Sequence, residues 1–225
     1  PKWSNYIEAV NYIPFGQYTL NTLTICAGNI IGVLLSCPLV AYSISKIKWK
    51  GRDFLFLLIL STMLIPFPVT MVPLFVVFSK LGWINTFMPL IIPSFFGGGA
   101  FNIFLLRQFF LTIPEELSDA ARIDGASELG IYVRIMLPLV KPILIVVSLF
   151  TFLGAWNDFM GPLIYLHDEA KYTLALGLQM YRGTNYVEWP LLMAATTIVV
   201  IPTIIAFYFT QNTIVESVTL TGLKG

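Results

Sequence analysis

Five stretches of the chain stay apolar for twenty residues or more, near 18–44, 54–79, 87–107, 139–165 and 189–211. A helix needs about 20 apolar residues to cross a bilayer, so the pattern predicts five membrane-spanning helices. Polar residues collect between them. Lys46, Lys48, Lys50 and Arg52 crowd the first connection, and Arg107, Arg122, Arg134 and Lys141 mark the third. Cytoplasmic connections are the ones enriched in Lys and Arg, so these two are expected inside. The second and fourth hold only Lys80, Lys171 and Arg182, against Asp168, Glu169 and Glu188 in the fourth, and are expected outside. Residues 1–16 then form an outer-side N-terminal stub, and 213–225 a cytoplasmic tail. Because the chain begins at Pro1, an earlier segment with a further span is expected ahead of it.

Composition supports a membrane protein: 57% of the 225 residues are hydrophobic and 11% charged, against about a quarter charged in soluble domains, and the mean hydropathy is +0.81. The net charge of +1 supplies no clustered basic surface of the kind nucleic acid requires, so no nucleic-acid partner is expected. Cys26 and Cys37 lie in one apolar run, about 16 Å apart along a helix, too far to bridge. They are read as small buried hydrophobes.

Prolines 38, 66, 68, 73, 142, 162 and 202 fall within or beside the spans. Each removes a backbone donor and bends its helix. Either the bundle holds a path or moving joint, or the prolines are merely tolerated. The run "SFFGGGA" at 94–100 permits close packing or a broken span.

The longest polar interruption is "EELSDAARIDGASELGIYVRIMLPLVKP" from Glu115 to Pro142. Pro114 suits a first helical turn, and Glu115 and Glu116 follow where the helix dipole favours negative charge. On that helix Ile113, Leu117, Ala120, Ala121 and Asp124 share one stripe, with Glu115, Ser118, Asp119 and Arg122 beside it. Gly125 is expected to end the helix in a left-handed cap, and Ser127 to cap a second helix. Pro138 disfavours α geometry at Leu137, so a turn is expected there. Helices that rest on lipid favour Lys and Arg, whereas Glu115 to Asp124 holds four acidic residues and one Arg. A protein partner fits better.

Within this loop "DAARIDGASELGIYVRIMLP" resembles the signature of ABC importer permeases, the EAA motif: Glu-Ala-Ala, three residues, Gly, nine residues, Ile, one residue, Leu-Pro. Asp119 stands in for Glu, while Ala120, Ala121, Gly125, Ile135, Leu137 and Pro138 match. "FLGAWNDFMGPLIYL" at 152–166, "KYTLALGLQMY" at 171–181 and "QNTIVESVTLTGLKG" at 211–225 are similar to the carbohydrate-uptake branch. The resemblance implies an all-α polytopic helix bundle, the type I ABC importer transmembrane domain, over 17–212, normally with one more span before it. It implies a coupling loop at 112–138, whose Glu115, Glu116, Asp119, Ala120, Ala121, Arg122, Asp124 and Gly125 seat in an ATPase subunit. A second permease subunit, an ATPase dimer and an extracytoplasmic solute-binding protein are the implied partners. The cargo would be a sugar, moved across a bacterial cytoplasmic membrane by alternating access. Another solute, such as a polyol, a glycerol phosphate or a polyamine, is the alternative cargo.

An ion-coupled carrier is the rival from another class, but it needs intramembrane ionisable residues, and Asp158 alone qualifies clearly. No Gly-x-x-x-x-Gly-Lys-Ser/Thr run occurs, so ATP hydrolysis is expected on a separate chain. The chain itself is expected to have no catalytic residue and no cofactor. His167, the single histidine, makes no metal site beside Asp168 and Glu169. "AWNDF" at 155–159 places a ring, an amide and a carboxylate two-thirds of the way along the fourth span. Trp156, Asn157 and Asp158 either line a sugar path or brace a helix loosened around Gly154 and Pro162.

Overall fold

The computed structural model describes residues 2–183 and 186–222, with side chains as far as Thr213. Helix α1 (Ser4–Tyr12) leads into α2 (Phe15–Ser45). The second apolar stretch forms α3 (Arg52–Ser61) and α4 (Phe67–Lys80), and the third forms α5 (Met88–Ile91) and α6 (Ala100–Thr112). The charged loop carries α7 (Glu116–Ile123), α8 (Glu128–Ile131) and α9 (Leu137–Leu139). Then come α10 (Lys141–Trp156), α11 (Met160–Tyr165), α12 (Leu174–Gly177) and α13 (Trp189–Gly222). Among the described residues the one β pairing is a bridge between Arg182 and Val187.

Three helical stretches, Phe15–Ser45, Met88–Thr112 and Trp189–Thr213, are long and apolar enough to cross a membrane, and two bent helix pairs bring the number to the expected five if each pair is one span. α2 and α13 run through Pro38 and Pro202 without a break. The second span bends by 101° between α3 and α4. Ile65 is extended at the break (φ −84°, ψ 113°), the conformation favoured ahead of a proline, and Pro66 follows it in extended geometry.

The glycine run does both things the sequence allows. Gly97, Gly98 and Gly99 all have positive φ (96°, 67° and 92°) and separate the Met88–Phe95 half of the third span from α6. A Cβ on Gly98 would lie 2.9 Å from Val33 Cγ1, so the break also sits tight against α2. Asn29 donates to the Leu90 carbonyl at 2.8 Å, and Ser36 Oγ donates to Ser94 O at 3.0 Å and accepts from Gly97 N at 3.1 Å. Backbone groups freed by a broken span must find such partners, because hydrocarbon offers none.

α10 packs between α2 and α13. Two apolar cores result. One, at the charged-loop end, gathers Cys37, Leu106, Phe110, Ile131, Met136 and Val147. The other, at the opposite end, gathers Ala9, Tyr18, Cys26, Trp156, Leu174 and Tyr181. The two cysteines are buried and unbridged. The N-terminal stub is a packed helix: Ala9 is fully buried, its carbonyl accepts from the Tyr181 hydroxyl at 2.8 Å, and Tyr12 stacks on Tyr181. At the other terminus α13 continues through the expected tail to Gly222; residues 223–225 of that tail lie outside the described residues.

The turn expected at Leu137 is displaced. Leu137 is α-helical (φ −58°, ψ −45°), and the chain bends by 75° at Val140 instead. Tyr132–Met136 forms a π-helical turn in which Leu137 N–H bonds Tyr132 O, five residues back. The wider turn leaves room for the Pro138 ring, which would press on the carbonyl four residues back in a regular helix.

Candidate functional site

The charged loop folds as helix, turn, helix. Gly125 has φ +80°, Ala126 N bonds Ala121 O at 2.9 Å, and Gly125 N bonds Arg122 O at 3.0 Å. That is the pair of closures of a Schellman cap, which satisfies the last carbonyls of α7. Ser127 Oγ accepts from Gly130 N at 3.2 Å and caps α8.

The helix face differs from the expected stripe. Ile113 and Ala121 are buried together with Ser118, while Leu117, Ala120 and Asp124 are exposed with Glu115, Glu116 and Asp119. The loop's own partner for Ala121 is the inner core. Ser118 is buried, and with Lys46 and Ile47 it lines a hollow of about 290 Å³. The surface left for another molecule is therefore Leu117, Ala120, Ile123 and Asp124, rimmed by acids.

Arg122 holds the turn shut. Its Nε donates to Glu128 Oε1 and its Nη1 to Asp119 Oδ1, both at 2.7 Å. The Tyr42 hydroxyl donates to the second Glu128 oxygen at 3.1 Å. The hydrogen bond from Arg122 holds the Glu128 carboxyl below its ordinary value against the opposing effect of burial, and Tyr42 adds a smaller contribution in the same direction as Arg122. A depressed carboxylate contributes stability above its unfolded pKa and loses it as pH falls through the folded one. Both side chains are nearly half exposed, so solvent screening keeps the contribution small. The protection factors of the amides at residues 124–127, corrected for the intrinsic pH dependence of exchange, should therefore fall as pH drops below the ordinary glutamate value of 4.5. Glu128→Gln should exchange fast at neutral pH too; equal protection in both proteins would refute the latch.

The second candidate group sits where α10 ends: Trp156, though packed in the core, borders the same hollow as Asn157, and Asp158 borders another. Trp156 is 2% exposed, its Nε1 donates to Val199 O at 3.1 Å, and it stacks on Phe152. It is a brace between α10 and α13. Asp158 Oδ1 accepts from Gly161 N at 3.0 Å and opens α11; its residue borders a hollow of about 340 Å³ walled by Phe67, Phe78 and Tyr165. Asn157 is exposed, with its amide donating to Leu153 O at 2.8 Å. It lines a different hollow of about 430 Å³, shared with Gln179, Arg182, Trp189 and Thr196. Those four residues lie far along the sequence and form no motif with Asn157, so nothing in the sequence pattern points to them.

Over residues 28–219 the chain matches the family described as the binding-protein-dependent transport system inner membrane component. The chain belongs to that family. This permease is 38% identical over 195 residues to the arabinooligosaccharides transport system permease protein AraQ of Halalkalibacterium halodurans, covering 85% of this chain and 68% of the relative. It is 31% identical over 224 residues to the trehalose/maltose transport system permease protein MalG of Thermococcus litoralis, covering 98% and 81%. Its fold superposes with a TM-score of 0.81, at 26% identity, on a chain of a bacterial ABC transporter involved in the import of the acidic polysaccharide alginate; the match covers 94% of this permease and 79% of that chain. It is a multi-pass membrane protein and a transport subunit of an ABC importer.

Proposed function

We infer that this permease carries a sugar inward through a complex whose energy comes from a separate ATPase dimer, with a second permease subunit completing the path. The observation that carries the reading is the charged loop, a capped helix whose outer face, from Glu115 to Gly125, is presented away from its own core. The names of the relatives, which transport arabinooligosaccharides and trehalose or maltose, support sugar as cargo. Nucleotide-driven closure of the ATPases would move α7, and the broken spans would open the path to one side at a time. A solute-binding protein would deliver cargo at the opposite end, where residues 166–188 join α11 to α13.

Of the three residues at the α10 end, Asn157 is the one assigned to the sugar path. Its amide, the Gln179 amide and the Thr196 hydroxyl can bond sugar hydroxyls, and the Trp189 ring, 56% exposed, offers a stacking plane. Asn157→Ala should raise the sugar concentration needed for half-maximal transport by roughly two- to tenfold, the equivalent of about 0.5–1.5 kcal/mol for one hydrogen bond. Yield of the complex should be unchanged. Unaltered sugar dependence would remove Asn157 from the path.

A further inference from the structure

Helix α2 grips both ends of the charged loop. Tyr42 and Lys46 stand four residues apart, hence on one face of the helix. The Tyr42 hydroxyl donates to Glu128, just after α7, and the Lys46 ammonium donates to the Ile113 carbonyl, just before it. Both residues are buried, at 4% and 7% exposure, although the Glu128 carboxylate that Tyr42 reaches is nearly half exposed. Burial also pushes the Lys46 ammonium below the usual lysine value, with Glu115 and Glu116 opposing that shift.

The opposite end of α2 has a matching grip. Gln17 and Asn21, again four residues apart, donate to the Ala170 carbonyl at 2.7 and 2.9 Å, and Asn21 also reaches Tyr172 O at 3.0 Å. Thr22 Oγ1, fully buried, accepts from Leu174 N at 2.9 Å.

α2 runs unbroken for 31 residues, and its stretch between the grips, from Thr22 to Tyr42, spans about 30 Å at the helical rise of ~1.5 Å per residue. Pro38, its one residue without a backbone donor, is buried. The covalent routes out of the loop are interrupted by comparison. Towards α6 the chain is extended at Ile113, and the Gly97–Gly99 break lies behind that helix. Towards α10 it passes a π-helical turn and the 75° bend at Val140. A displacement of α7 meets soft joints along the chain and a stiff rod through α2.

We propose that α2 is the connecting rod of this permease: Tyr42 and Lys46 take up the displacement of the charged loop, and Gln17, Asn21 and Thr22 deliver it to residues 168–174 at the opposite face. The surface offered to a solute-binding protein is thereby set by the nucleotide state of the ATPases. Tyr42, Lys46 and Asn21 are positioning residues, and the proposal rests on the reading of α7 as the ATPase contact.

The test uses the whole complex, purified with its ATPase and partner subunits into lipid nanodiscs. Glu169→Cys supplies an exposed thiol on the outer connection, while Cys26 and Cys37 are buried. Its rate of reaction with a membrane-impermeant maleimide is compared without nucleotide and after trapping with ATP and vanadate. Trapping should change the rate by roughly fivefold or more, the ordinary range of coupling between sites. In the Tyr42→Phe, Lys46→Met double variant that change should vanish, while the ATPase still copurifies and turns over ATP. Asn21→Ala should abolish it from the other end, and Lys46→Arg, which keeps a donor, should preserve it.

A double variant that responds like the wild type overturns the rod and leaves the ATPase contact standing. A double variant that no longer holds the ATPase also overturns it, because the pair would then build the docking surface instead of transmitting from it. A wild-type chain from which no ATPase copurifies refutes the underlying reading instead.

Discussion

Gly125→Val should abolish most ATP-driven transport while the protein still inserts and assembles with its partner permease. Gly125 lies at φ +80°, and a Cβ there would meet nothing within 4 Å. The penalty is therefore conformational and not a clash: a β-branched residue in the left-handed region costs about 1–3 kcal/mol. The chain relieves it by unwinding the cap, which frees Ala126 N and Gly125 N from α7 and tilts the helix proposed to contact the ATPase. Gly125→Asn separates this account from a general intolerance of side chains. Asparagine enters the left-handed region readily, and the space is open, so that variant should keep at least about half of wild-type transport. Copurification of the ATPase and uptake of labelled sugar are the two measurements. Normal uptake in Gly125→Val, or equal loss in both variants, would contradict the role given to the cap.

Trp156→Ala should destabilise the permease by about 3–5 kcal/mol, the range for truncating a buried Trp. The ring fills the core at the end opposite the charged loop and ties α10 to α13 through the Val199 carbonyl. Yield and thermal stability of the complex should fall, and the loss of transport should be the same for every sugar. Trp156→Phe, which keeps most of the packing and gives up one hydrogen bond, should cost about 1 kcal/mol. Asn157→Ala, one residue further on, should do the reverse, with normal stability and altered sugar dependence. A Trp156→Ala complex that is stable but changed in sugar preference would return Trp156 to the path.

Much of the fold was legible because the bilayer makes the signal coarse. The five apolar stretches and the Gly125 and Ser127 caps each depend on one local requirement, and helices along those stretches and both caps are present. The displaced turn at Pro138 shows where local rules stop. The proline preference is correct for an isolated helix, but a π-helical turn one step earlier removes the clash, and nothing in "YVRIM" announces one. The same limit applies to α7. Helical spacing identified a stripe, yet the face turned inward carries Ala121 and Ser118, which meet the core and a hollow shared with Lys46 and Ile47, some seventy positions away in the chain. The triplet Trp156, Asn157 and Asp158 looked like one constellation because its members are adjacent. At the end of a helix neighbouring side chains diverge: Trp156 packs in the core at the edge of the hollow that Asn157 lines, while Asp158 turns to the start of α11. The polar residues that share the hollow with Asn157 come from residues 179–196 and are brought there by the fold alone.

The central claim is that this chain moves sugar at the expense of ATP hydrolysed on another subunit. It is tested most directly by reconstituting the complete complex in sealed proteoliposomes, with the solute-binding protein outside the substrate-loading face and ATP on the charged-loop face. Uptake of a panel of labelled mono- and oligosaccharides is then followed with and without ATP. The account predicts that at least one sugar accumulates only when both ATP and the binding protein are present, and that dissipating ion gradients leaves uptake unchanged. Uptake that persists without ATP and collapses with an ion gradient would contradict it.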